Sequence, residues 1–371
     1  MKRLTLLFVI IPAITFLMAA CGGSDTETSS VDIERLELTE IGIVADNEDW
    51  MLSTIGQINF DNNGNIIFTD NPERTFYYID TDGNLIQKFG SQGSGPGEFE
   101  MIANVNMIDG NRMIIPDFSQ RRLSDFRLSD GEWSFYGNFM LNDDPSQFAS
   151  ILLQLSDGSF LANNPMRQAG QNMPESGRVT QQKMYYDRIN LDGEVIEEDF
   201  IEVAAASFYF DQSEGFRFAA IPFREADVMQ VSPSGFVYLA GNKETRIRKY
   251  DQDLELVREF EFEWPAFPTS EKDMEQFLEP HEGSFRNTVR NLIPDIKPVM
   301  RAIRVTEDDQ LWVQVYGENS EDIWLVIEDD GTLLGKVELP ENTTLRAFNN
   351  GRIYTVFTDE FDIPAIKIFE L

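Results

Sequence analysis

Six polar residues stand at comparable places along the chain, each between apolar neighbours and a few positions ahead of a Gly- or Asp-containing turn: Asn59, Asn106, Gln154, Gln230, Arg304 and Arg346. Ile58 and Phe60 flank the first, and Ile303 and Val305 the fifth. Carboxamides and guanidiniums in such a series hydrogen-bond, and two arginines can hold a carboxylate or another anion between their donor forks. Gln57, Asn104 and Asp227 lie just ahead of three of the same runs. Elsewhere catalytic groups are scarce. One histidine, His281, cannot furnish the multi-histidine shell of a catalytic zinc site, and one cysteine, Cys21, excludes an intramolecular disulfide. With 30 Lys and Arg against 64 Asp and Glu, the formal net charge of -34 argues against nucleic acid, whose phosphates require clustered cations.

The elements that carry this series repeat. Length alone, 371 residues, fits two domains or one large all-β fold. A unit of alternating run, Gly or Asp turn, second run, gap, third run, Asp-Gly turn and fourth run is clearest from Ile58 to Gly90, INFDNNGNIIFTDNPERTFYYIDTDGNLIQKFG. Further copies start at Asn104, Leu152, Val228, Ala302 and Leu345. Period-2 strands joined by Asn-Gly and Asp-Gly turns are antiparallel hairpins, and four strands per unit describe a propeller blade. The predicted fold is all-β: a six-bladed β-propeller over residues 33–371. Its last copy stops after three strands, and Glu34–Val44 is expected to complete it and close the ring. Alternation predicts that the apolar neighbours pack between blades while the six polar residues approach the central channel, with Gln57, Asn104 and Asp227 at its mouth. Polar groups there must be hydrogen-bonded, hydrated or liganded. A water-filled channel, a ligand site and, as the remaining alternative, a catalytic site all fit.

Extra sequence falls at 163–183, 204–227 and 264–301. The first joins strands two and three of a blade and the others join blades, and those connections open on one face. Insertions confined to one side mark the binding face of a repeat fold, although neutral drift in tolerant loops would also place them there. The last insertion, between blades four and five, predicts two short helices. One is capped by Ser270 and carries Met274, Phe277 and Leu278; the other carries Phe285, Val289 and Leu292.

At the N-terminus, Lys2 and Arg3 precede an apolar run, Leu4–Leu17, then Met18, Ala19, Ala20 and Cys21. The run is interrupted by Pro12 and is short for a membrane span. Residues 1–20 resemble a bacterial lipoprotein signal peptide, which implies cleavage before Cys21 and acylation of that cysteine. Met18 departs from the usual leucine. Residues 21–32, rich in Gly, Ser, Thr and acids, read as a flexible tether. Gly22 does not resemble the aspartate that retains lipoproteins in the inner membrane, so the resemblance implies an outer-membrane lipoprotein of the cell envelope.

Gly90–Phe99, GSQGSGPGEF, resembles the loop between NHL-type repeats. With Asp70 and Arg74 in the first copy and Asp117 and Arg121 in the second, the chain resembles the six-bladed β-propeller lipoproteins of Bacteroidetes-type bacteria. The likeness implies a fold more than an activity. The expected function is a binding or scaffold module for a polymer, peptide, small polar ligand or partner protein, held to a membrane by lipid, without nucleic acid and without a cofactor. The alternative is a calcium-dependent hydrolase or lactonase, resembling propellers that hold the metal in the channel. Arg304 and Arg346 would oppose such a cation, and a calcium site needs several converging oxygens. A lyase of the NHL type would need histidine zinc ligands that the chain lacks. Changing Cys21 to Ser should abolish palmitate labelling in an expressing bacterium and shift the protein from the membrane to the soluble fraction; persistent labelling would refute acylation.

Overall fold

Near-continuous runs of Val, Ile, Phe, Tyr and Trp such as IIFTD, TFYYI and LWVQVY favour pleated strands packed on both sides. The computed structural model describes residues 33–45, 50, 52–102, 104–139, 150–155, 157–163, 175–190, 194–213, 215–318 and 321–371. Residues 1–32, with Cys21, lie outside the described residues. Six antiparallel sheets follow one another. Blade one holds β2 (Ile58–Phe60), β3 (Ile66–Asp70), β4 (Thr75–Ile79) and β5 (Leu85–Phe89). Blade two holds β6 (Asn106–Met107), β7 (Arg112–Asp117), β8 (Arg122–Ser129) and β9 (Glu132–Phe139). Blade three has β10 (Ser150–Gln154), β11 (Phe160–Asn163), β12 (Arg178–Ile189), β13 (Val195–Asp211) and β14 (Arg217–Ile221). Blade four has β15 (Asp227–Val231), β16 (Val237–Gly241), β17 (Arg246–Tyr250) and β18 (Leu256–Glu261). Blade five has β19 (Met300–Val305), β20 (Leu311–Tyr316), β21 (Asp322–Ile327) and β22 (Leu333–Glu338). In blade six, β23 (Thr343–Asn349), β24 (Arg352–Thr358) and β25 (Pro364–Glu370) are joined by β1 (Thr39–Val44).

The N-terminal strand completes the last blade, as expected. Thr39 is opposite Glu370 and Val44 opposite Ile366. The entering chain also clasps the neighbouring blade, where Leu36 N–H donates to Lys336 O and Lys336 N–H to Glu34 O, each at 2.8 Å. Every seam is filled. One apolar cluster joins blades one and six through Ile58, Phe68, Tyr354 and Ile366; others join one to two, two to three, three to four, four to five and five to six.

Turns are held by their own aspartates. Asp61, Asp80, Asp251 and Asp359 each accept the backbone N–H groups two and four residues ahead, the Asx pattern that lets a side chain stand in for backbone. The Asn84 bonds hold the Asp80 carboxyl below the usual carboxylate range. Turns of adjacent blades touch: Gly110, at φ 73°, leaves room for Asn62, whose Oδ1 would be 2.3 Å from an added Cβ. Lys249 of blade four, 3% exposed, spans to Asp309 at 3.1 Å and Asp329 at 2.7 Å in two turns of blade five.

The sequence reading differs from the structure in blade three. Most of residues 204–227 form strand rather than loop, because β13 runs on to Asp211 and β14 returns beside it as a fifth strand. The cause is a second alternating aromatic pair, SFYFD and FRFAAI, which a four-strand template leaves without a place. The two helices are present as α1 (Glu271–Leu278) and α2 (Gly283–Leu292). Ile366, fully buried where blades six and one meet, tests the closure: Ile366→Ala should lower unfolding free energy by about 2–5 kcal/mol in urea melts.

Candidate functional site

Ladder pairs fix where inner-strand side chains point, because opposed residues share a sheet face. Asn59 is opposite Ile67, Asn106 opposite Ile114, Gln230 opposite Tyr238 and Arg304 opposite Trp312. Those partners pack in the seams with blades two, three, five and six respectively. The four polar residues therefore start from the face toward the next blade, at the innermost rung. Alternation in a propeller separates one seam from the other, since both sheet faces are packed, and does not separate seam from channel.

Blades three and six depart from the expected series. Leu153 is opposite Leu161 and Ala347 opposite Tyr354, so these two occupy the position of Asn59. Gln154 is opposite Phe160, one rung nearer its turn. The backbone turn begins at Leu155, one residue after Gln154, whereas it begins at Asp61, two residues after Asn59. Arg346 sits in a β-bulge between Leu345 and Ala347. Apolar neighbours on both sides fit either register, so neither shift shows in the pattern.

The residues expected at the channel mouth have defined partners. Gln57 staples blades one and two: its Nε2 donates to Val105 O at 2.7 Å and its Oε1 accepts from Val105 N–H at 2.8 Å. It also reaches Asn59 Oδ1 at 3.3 Å. Gln87 repeats this reciprocal staple at the outer strands with Trp133 N–H and O, at 2.7 and 2.9 Å. Asn104 is exposed and its carbonyl accepts from Asn106 Nδ2 at 3.2 Å. Asp227 turns toward blade three, where its Oδ2 accepts from Ala204 N–H at 2.6 Å.

Asp70 and Asp117, both fully buried, cap incoming loops. Asp70 Oδ2 accepts from Ser53 N–H at 2.9 Å; Asp117 accepts from Glu100 N–H at 2.9 Å and from Met101 and Gln120 N–H at 3.2 Å. Arg74 and Arg121 hold the same left-handed position, φ 52°, in the following turns, and Arg74 Nε donates to Glu100 O. Arg122 and Gln120, which the motif did not single out, clasp the Gly90–Phe99 loop through the carbonyls of Gly93, Ser94, Gly95 and Glu98. Among the described residues no three or more His, Cys, Asp or Glu side chains are grouped to share a metal ion.

Two arginines behave differently. Arg304 Nη1 donates to Ile303 O at 3.1 Å and to Gln230 Oε1 of blade four at 3.3 Å. A side chain rooted on the blade-six side that reaches blade four must pass the inner edge of β19, which places the guanidinium at the channel. Arg346 is exposed on an innermost strand, so it too meets the channel. Burial, and then the charge of Arg346, hold the Arg304 guanidinium below its ordinary value; burial by neighbouring protein does the same to Arg346.

On the face with the long connections, two insertions meet. Ala219 and Ile221 of β14, Phe223, and Leu278, Phe285, Val289 and Ile293 of the helical segment form one buried cluster, against which Tyr209 and Tyr316 pack. Ser270 and Asp273 form a capping box at α1, and Lys297, 2% exposed, ties Asp273 (3.1 Å) to Gly317 O (2.8 Å). His281 stacks edge-on against Phe285, and burial lowers its pKa. The opposite side of β13 and β14 bears Phe208, Phe210 and Phe218, with Phe216 just ahead of β14 packed edge-on against Phe210. Phe208 and Phe218 stack at 4.7 Å, and Phe216 and Phe218 are 73% and 47% exposed.

A closed ring of six four-strand units, one enlarged and capped, defines a six-bladed β-propeller. The family described as 6-bladed beta-propeller matches residues 44–230, half of the chain, and the chain belongs to it. No curated protein matches. A putative exported protein from Bacteroides fragilis is similar over 90% of this chain and 95% of its own, with 14% identity and a TM-score of 0.54. A member of the DUF4221 family from Bacteroides vulgatus covers 90% and 98%, with 10% identity and a TM-score of 0.47. The PQQ-bound aldose sugar dehydrogenase of Streptomyces coelicolor covers 90% and 98%, also with 10% identity and 0.47. The likeness to the Bacteroides fragilis protein is one of fold.

Asp117 tests the loop-capping reading. Asp117→Ala leaves three backbone donors unpaired and should cost about 3 kcal/mol in urea unfolding, whereas Asp117→Asn keeps an acceptor and should cost clearly less.

Proposed function

We propose that the protein is a lipid-anchored module of the bacterial cell envelope, attached to the outer membrane through Cys21, that binds a peptide, glycan or partner protein on its capped face. The observation that carries this reading is the meeting of two insertions, from blade three and from between blades four and five, in one satellite core on one face. Drift in tolerant loops gives no reason for separate insertions to share buried residues. The outer side of the same segment leaves Phe216 mostly and Phe218 about half in water, and exposed aromatics are the residues that anchor interfaces.

Thr39 is opposite Glu370, at the end of β25 remote from the 359–363 turn, so β1 starts on the face opposite the cap. Phe216→Ser combined with Phe218→Ser should weaken binding to envelope polysaccharide, peptidoglycan fragments or crosslinked envelope proteins by about tenfold or more while the melting temperature stays near that of the parent. Undiminished binding of every such ligand by a folded double variant rejects the capped face as the site.

A further inference from the structure

We propose that the channel end of blades four to six is a binding site for an oxyanion, a carboxylate or phosphate group of a small ligand, held between Arg304 and Arg346 with Gln230 as the orienting residue. The inference deepens the binding reading above and rests on it only in treating the ring as a binding module.

Three observations carry it. First, the chain has acids in excess, 64 Asp and Glu, and its other guanidiniums commonly use them. Arg112 and Arg127 share Asp125; Arg217 takes Asp211; Arg286 and Arg290 take Glu271 and Glu275. Among the described residues no carboxylate pairs with Arg304 or Arg346. Arg304, half-buried and facing the like charge of the exposed Arg346 with no carboxylate beside it, is an arrangement that a bound anion would relieve.

Second, the donors are arranged. Gln230 is fixed by its own bond from Nε2 to Val231 O at 2.7 Å, which turns Oε1 toward Arg304 Nη1. That bond and the one to Ile303 O both use Nη1. The Nε and Nη2 hydrogens of Arg304 make no bond to the described residues, and that edge is the one a carboxylate or phosphate engages in a bidentate pair. The Arg346 guanidinium makes no hydrogen bond to the described residues either.

Third, the bulge between Leu345 and Ala347 is what brings Arg346 there. It removes Arg346 from the ladder and gives its regular place, toward blade one, to Ala347. A bulge that re-aims one side chain is a recurrent device beside binding sites. The lowered pKa of Arg304, caused in part by Arg346, agrees with two like charges awaiting an anion.

The test is thermal melting and calorimetric titration of the full chain with citrate and with inorganic phosphate, each against sodium chloride at matched ionic strength. At least one oxyanion should bind and raise the melting temperature beyond the chloride control, and the two arms tell carboxylate from phosphate. Arg304→Gln and Arg346→Gln should each weaken binding tenfold or more. Without ligand, Arg346→Gln should melt no lower than the parent, since it removes a repulsion and no bond. No stabilisation beyond chloride, unaltered affinity in Arg346→Gln, or a ligand-free Arg346→Gln that melts well below the parent would each overturn the proposal. The cap variants at Phe216 and Phe218 leave this titration unchanged, so failure here and failure of the capped face are told apart.

Discussion

Each blade buries both faces of its sheet, so no blade is complete until it has a neighbour on each side, and the ring is complete only when its last seam is filled. That seam lies between blades six and one, and it depends on a hydrogen-bonded ladder between residues at opposite ends of the chain, Thr39–Val44 and Pro364–Glu370. Without β1 the last sheet would end in an open edge, the kind of surface that pairs with other chains. The parallel bridge at Lys336 extends the closure to a second blade, so the entering segment crosses a seam before joining its own sheet.

Part of the acidic excess has a structural role at the turns. Aspartates begin the tight connections, accept backbone N–H groups, and let short loops form without other support. Asp70 and Asp117 do the same across larger distances, receiving loops that arrive from the preceding blade. Charge at these positions is local architecture, and its sum keeps the surface strongly negative. The channel end with Arg304 and Arg346 is a local reversal of that sign.

The ring and its closure were legible because period-2 strands with Asn-Gly and Asp-Gly turns recur with little variation, and because the last copy visibly lacks a strand. The helices were legible from spacing and from Ser270. The direction of the inner polar row was not. Alternation says that Asn59 and Ile58 face opposite ways, but it does not say that both ways lead to another blade. The one-residue shifts at Gln154 and Arg346 stayed hidden because a bulge leaves no mark when its flanking residues, Leu345 and Ala347, are both apolar. The glutamine staples were hidden too, since nothing in the sequence separates Gln57 or Gln87 from a solvated amide until the facing backbone of Val105 or Trp133 is in place. The aromatic side of β14 was readable in principle: SFYFD and GFRF are alternating runs on either side of a short polar turn.

The cap divides the ring into unequal parts. Its cluster takes residues from blade three, from the segment linking blades four and five, and from Tyr316 of blade five. Opening the seams between blades three and four or four and five therefore means breaking a second core as well, while the seams around blades one, two and six add to their own packing only hydrogen-bonded ties such as the Gln57 and Gln87 staples and the clasp at Lys336. Local opening is governed by the apolar contacts that must be lost with it. Blades three to five are thus riveted by a second apolar core, while the remaining arc is tied by backbone and amide hydrogen bonds where its two chain ends are joined.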